Sequence, residues 1–155
     1  MNSVTKSLAF AVAVVASTAA YAGKPMMPET QMLTIYKQEC GTCHMAYPPG
    51  FLSKPAWGRV MNSLSNHYGT DASLDDTQVK EISQWLNQHA GTYKRVVQSS
   101  KEDRLTTTEW FLRKHKEIQP NVYQRAAIKS AANCAACHTT AAKGDFEEDN
   151  VRIPK

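Results

Sequence analysis

Cys40-Gly41-Thr42-Cys43-His44 and Cys134-Ala135-Ala136-Cys137-His138 are the two stretches on which the reading of this chain turns. Together they hold all four cysteines of the 155 residues. In each, two residues separate the cysteines and a histidine follows at once. C-x-x-C-H is the attachment pattern for c-type haem. Two thiols about one helical turn apart add to the two vinyl groups on one porphyrin edge. The adjacent histidine then projects under the ring as the proximal ligand to iron.

Three other uses of paired cysteines compete with this one. A redox-active disulfide leaves the histidine after both copies as coincidence. A single zinc would have to gather thiolates from pairs whose first members are 94 residues apart. Structural disulfides suit an exported chain but explain neither the spacing nor the histidines. The pattern therefore predicts two covalent haems, on Cys40 and Cys43 with His44, and on Cys134 and Cys137 with His138.

Haem ligation in bacteria follows export, and residues 1–22 read as a secretory signal peptide. Lys6 is the only charge ahead of the apolar run Leu8 to Ala16, and Ala20-Tyr21-Ala22 offers a cleavage site. That run is too short to span about 30 Å of hydrocarbon. The expected mature chain is soluble and periplasmic. Removing 22 of 155 residues leaves 133 and takes the net charge from +4 to +3. The apolar share falls from 42% to 50 residues in 133, a thin supply for a domain this small. No dense Lys/Arg run points to nucleic acid. Four ionised propionates and one positive charge per ferric haem bring the expected holoprotein to about +1 oxidised and −1 reduced.

Helix signals place the motifs. Thr30 is the expected cap of a helix running into the first motif, with Leu33, Tyr36 and Cys40 on one face. MAYPPG, residues 45–50, is a helix-stopping loop whose carbonyls can accept from His44 Nδ1. Ser53 and Pro55 open a helix expected to continue toward Gly69, carrying Trp57, Val60, Leu64 and His67. Asp75 and Gln78 form a capping pair for a third helix that ends near Gly91. Thr108 caps a helix bearing Phe111, His115 and Ile118, stopped by Pro120. AAIKSAANCAACH, residues 126–138, is alanine-rich and expected to be helical. Polar residues 98–103 are the expected linker between an N-terminal haem lobe, 23–97, and a C-terminal one, 98–155.

The fold class expected is all-α, a small helical c-type cytochrome with a cytochrome-c-like first lobe and a shorter second lobe. Three histidines remain for the sixth position on each iron. No histidine or methionine follows His138, so the second haem draws any distal ligand from upstream. His115, behind Trp110 and Phe111, is its first choice. His67 is the first choice for the other haem, with Met61 as a rival and His89 ranked lower. Met45 adjoins His44, on the wrong side of the ring.

The chain resembles the small soluble dihaem cytochromes c of bacteria over essentially its whole mature length. CGTCHMAYPPG, HYGTDASLD around His67, WFLRKHKEI around His115 and NCAACH followed by AAKGDFEEDNVRIP carry the resemblance. It implies bis-histidine haems with His67 and His115 as distal ligands. It also implies electron transfer between a membrane b-type cytochrome and a soluble haem protein, such as a small oxygen-binding monohaem cytochrome. His89 falls where that family does not typically place a ligand.

Two histidines per iron leave no site for substrate, so the chain reads as an electron carrier and not an enzyme. Asp75, Asp76, Glu147, Glu148 and Asp149 look like caps and solvated surface, not acid–base machinery. The rivals are an enzyme or gas-binding protein with one five-coordinate haem, and a small electron-transfer subunit of a larger reductase.

Overall fold

Asp75 and Gln78 close a reciprocal capping box: the Asp75 carboxylate accepts from Gln78 N at 2.9 Å, and Gln78 Oε1 accepts from Asp75 N at 3.2 Å. The box starts a helix over Asp76–His89, in a computed structural model that describes residues 26–97 and 102–155. The expected signal peptide, 1–22, and residues 98–101 of the expected linker lie outside the described residues. In chain order the α-helices are α1 (Thr34–Cys40), α2 (Lys54–Met61), α3 (Asp76–His89), α4 (Lys94–Val97) and α5 (Glu109–Lys114). Short 3₁₀ segments lie around them, and the remaining described residues form turns and irregular loops. No strand forms among the described residues, and only isolated bridges join His67 to Thr70 and His138 to Val151.

The first core is built where α1 and α2 pack on α3. Ile82 and Leu86 on α3 meet Tyr36 on α1 and Ala56, Trp57, Val60 and Met61 on α2, all buried. The Tyr36 ring lies edge-on to Trp57 at 6.3 Å and against Trp85 at 5.0 Å. Both buried polar tips are satisfied: Tyr36 Oη donates to the Tyr47 carbonyl at 2.7 Å, and Trp57 Nε1 donates to the Pro49 carbonyl at 2.7 Å.

Three helix boundaries differ from expectation. α1 starts at Thr34, and Thr30 instead lies in the 3₁₀ turn Glu29–Gln31. Ser53 caps α2 as expected, accepting from Ala56 N at 3.4 Å, but α2 stops at Met61. There the Ser63 hydroxyl donates back to the Arg59 carbonyl at 2.9 Å and competes with the helix ladder. Leu64 and His67 therefore leave the helix face predicted for them. Thr108 caps α5 through Phe111 N at 3.2 Å, yet α5 ends at Lys114, short of Pro120.

Residues 126–138 are not the expected helix. They run through turns and one 3₁₀ turn, Cys134–Ala136. Alanine supplies propensity but no apolar stripe here: Ala126 and Ala127 are exposed, whereas Ile128 is fully buried. The polar residues take up the backbone instead. Ser130 Oγ accepts from Ala132 N at 3.1 Å, Asn133 Nδ2 donates to the Ile128 carbonyl at 3.0 Å, and Lys129 turns left-handed with φ 67°.

A backbone hydrogen bond and aromatic rings bind the C-terminal region to the first core. Phe51 packs against Trp110 at 5.6 Å and Phe146 at 5.0 Å. Met26 N donates to the Gly144 carbonyl at 2.8 Å. Gly144 is left-handed, φ 75°, and a Cβ there would overlap the Met26 carbonyl, so only glycine fits. Among the described residues no helix is long and apolar enough to cross a membrane.

Candidate haem sites

The first C-x-x-C-H begins on the last residue of α1. Gly41 N still donates to the Lys37 carbonyl at 3.0 Å, and then the chain leaves the helix. His44 is held from two sides. Its Nδ1 shares a 2.8 Å hydrogen bond with the Met45 carbonyl, within the loop expected to supply it. The Tyr47 ring stacks on the imidazole at 4.6 Å and 14°. With Nδ1–H donating to a carbonyl, Nε2 carries the free lone pair that a metal needs.

His67 reaches the same place from a tight loop. The 3₁₀ turn Leu64–Asn66 delivers it, and His67 and Thr70 exchange backbone bonds of 2.7 and 3.2 Å around Tyr68 (φ 54°) and Gly69 (φ 95°). Burial, then His44, then the Arg104 guanidinium hold its pKa below the usual histidine value. It is therefore neutral near pH 7, the form in which imidazole ligates. Residues 102–104 brace this loop. Arg59 clasps the buried Asp103 carboxylate through two bonds of 2.6 and 2.7 Å, Tyr68 Oη donates to the Glu102 carbonyl at 3.1 Å, and Arg104 lies 4.1 Å over the Tyr68 ring.

At the second site His115 sits on the C-terminus of α5. Its Nδ1 shares a 2.9 Å bond with the Phe111 carbonyl, and the Phe111 ring stacks on it at 4.0 Å and 18°. His138 follows Cys137, bridges to Val151 and packs on Phe146 at 5.4 Å. Burial and His115 lower its pKa against a small opposing pull from Asp145. Its Nδ1 is buried and finds no protein acceptor among the described residues.

The spacing of the imidazoles is informative. His44 and His67 have ring centroids 6.4 Å apart at 29°, and His115 and His138 are 6.1 Å apart at 75°. A metal–imidazole bond of about 2.0–2.1 Å and a nitrogen about 1.1 Å from its ring centre put two trans rings about 6.2–6.4 Å apart. Two imidazoles hydrogen-bonded directly, at about 2.9 Å, would stand about 5.1 Å apart. The first pair falls within this range and the second 0.1 Å below it, and both stand well beyond the directly hydrogen-bonded separation. Each offers only two protein nitrogens, and among the described residues no group of three or more His, Cys, Asp or Glu could hold a metal ion. A porphyrin supplies the four remaining nitrogens, so the donor set fits haem and does not fit a protein-only zinc site.

The thiols agree. Burial pushes Cys40 and Cys134 each up to about 11, the opposite of a redox-active C-x-x-C, whose attacking thiol is depressed. Beside His115 a cleft of about 340 Å³ is lined mainly by apolar side chains, Phe111, Leu112, Ile118 and Tyr123 among them, together with Thr106 and Lys116. His89 stands apart: its Nδ1 bonds the Trp85 carbonyl at 2.8 Å and its ring packs on Trp85 at 4.9 Å. Met61 is buried in the core under α3. Sequence reasoning does not single out Tyr47, although an aromatic residue three places after the motif histidine is the position from which to stack on it.

Known proteins resemble this chain across both motifs. The dihaem cytochrome c family matches residues 36–146, spanning both C-x-x-C-H sites. A dihaem cytochrome type c from Shewanella baltica OS155 is 36% identical with a TM-score of 0.68, covering 83% of this chain and 95% of its own. The dihaem cytochrome c from Rhodobacter sphaeroides is 37% identical with a TM-score of 0.66, covering 75% of this chain and 98% of its own. No curated protein matches. A helical fold, two imidazole pairs at metal-bridging distance and a family match through both motifs lead to one conclusion: this chain belongs to the dihaem cytochrome c family and carries two covalently attached haem c groups.

Proposed function

We propose that the protein is an exported electron carrier whose two haems are both closed by paired histidines. Cys40 and Cys43 hold one haem, ligated by His44 and His67; Cys134 and Cys137 hold the other, ligated by His138 and His115. The observation that carries this reading is the pair of centroid separations, 6.4 and 6.1 Å, each matching a metal shared by two imidazoles. Bound haem supplies one-electron exchange. The protein's own residues do the rest: the Met45 and Phe111 carbonyls orient His44 and His115, while Tyr47 and Phe111 wall the imidazoles in. Such carbonyl bonds fix ligand geometry and raise basicity.

Histidine in place of methionine as the sixth ligand lowers the reduction potential, which suits a low-potential carrier. Residues 1–22 support export to the periplasm. Electron exchange between a membrane b-type cytochrome and a soluble haem protein accords with the resemblance of the whole chain to its family. Carbon monoxide tests closure. The reduced holoprotein at native pH is expected to leave its Soret spectrum unchanged under the gas; ready binding at either haem would instead establish an open, enzyme-like or gas-binding site.

A further inference from the structure

Among the described residues, the Tyr47 side chain reaches from the first site to the second. The Tyr47 ring stacks on His44 at 4.6 Å and 14°, and its hydroxyl donates to the Ala132 carbonyl at 3.0 Å, 85 residues away in sequence. That same carbonyl lies 3.7 Å from Cys134 Sγ. The chain of contacts is therefore imidazole, phenol ring, phenol hydroxyl, carbonyl and sulfur; with haem attached Cys134 carries no S–H, so the last step is a van der Waals contact.

We propose that Tyr47 is the bridge that couples the two haem centres, linking the proximal imidazole of the first to the attachment sulfur of the second. The inference rests on the proposed roles of His44 as an iron ligand and Cys134 as an attachment site. Electron tunnelling falls off less steeply along bonds, stacked rings and hydrogen bonds than across gaps, so a bridge of this kind speeds transfer between the centres. Tyr47 neither gives nor keeps an electron: the one lost at one centre is the one gained at the other, and the phenolic proton stays on Oη.

The local sequence aims the ring. Pro48 and Pro49 come next, both fully buried, and the residue before a proline is confined to extended backbone. The Tyr47 carbonyl is fixed by Tyr36 Oη at 2.7 Å. The side chain is thus held from its own backbone and from the far end of its hydroxyl. A purely structural role would need only the packing surface, which phenylalanine also provides. A bridging role needs the hydroxyl as well.

The test uses the holoprotein carrying Tyr47→Phe and Tyr47→Leu. A single electron is injected by a photoreductant, and its equilibration between the two haems is followed by absorbance. Haem content, low-spin spectra and both reduction potentials are measured alongside. Tyr47→Phe is expected to retain both haems and their potentials while equilibration slows severalfold, and Tyr47→Leu to slow it further. Wild-type equilibration in Tyr47→Phe with both haems in place would overturn the proposal. So would slowing fully accounted for by an altered potential difference. Misassigned ligands would show separately, as high-spin or methionine-type spectra of the unmutated protein.

Discussion

His67 and His115 stand opposite His44 and His138 at 6.4 and 6.1 Å, whereas the His89 ring rests on Trp85. On the proposed ligation, replacing either of the first two would remove one nitrogen from an iron, and among the described residues no other histidine faces the gap. His67→Ala and His115→Ala are each expected to convert one haem of two from low to high spin in electron paramagnetic resonance, and His89→Ala to convert neither. A response confined to His89→Ala would reverse the assignment at the first haem. At this scale the C-x-x-C-H cysteines and histidines are legible in the sequence because their spacing is itself the chemistry. Tyr47 is not, because its hydroxyl partner lies 85 residues downstream and only folding brings them together. His67 comes to face His44 by a route its spacing does not suggest. A loop and a two-way backbone bridge to Thr70 position it, not a helix face.

Elements show where local rules suffice. Ser53, Asp75 with Gln78, and Thr108 all cap the helices expected of them, since a cap needs only a side chain two or three residues from the amide it serves. Helix ends are less legible. α2 stops at Met61, where the Ser63 hydroxyl competes with the helix ladder, and α5 at Lys114, with His115 as its cap; the segments that follow or close them carry His67 and His115. Residues 126–138 defeat propensity altogether, since alanine without a buried face has nothing to hold a helix in place. The Thr108 cap has a consequence at the second site. Its hydroxyl accepts from Phe111 N, and Phe111 in turn supplies the carbonyl and ring that position His115. Thr108→Ala is expected to cost about 1–2 kcal/mol in denaturant unfolding at equal haem content. It should also perturb the second haem's spectrum while leaving the first haem's unchanged.

For the whole molecule, the small apolar share of the chain takes on a physical meaning. The described core is concentrated around α1, α2 and α3, and the region after residue 102 has few buried apolar side chains of its own, chiefly Leu105, Phe111, Ile128 and Ala141. Short 3₁₀ turns and few buried apolar side chains after residue 102 suit a chain folded around a porphyrin that would complete its interior. The central claim is that both irons are held by two imidazoles each. Near-infrared magnetic circular dichroism of the oxidised holoprotein reads the axial ligands of every low-spin haem directly. Charge-transfer bands of the bis-imidazole type alone are expected, with intensity for two haems per chain. A methionine–sulfur band, or a high-spin band from either haem, would contradict the claim.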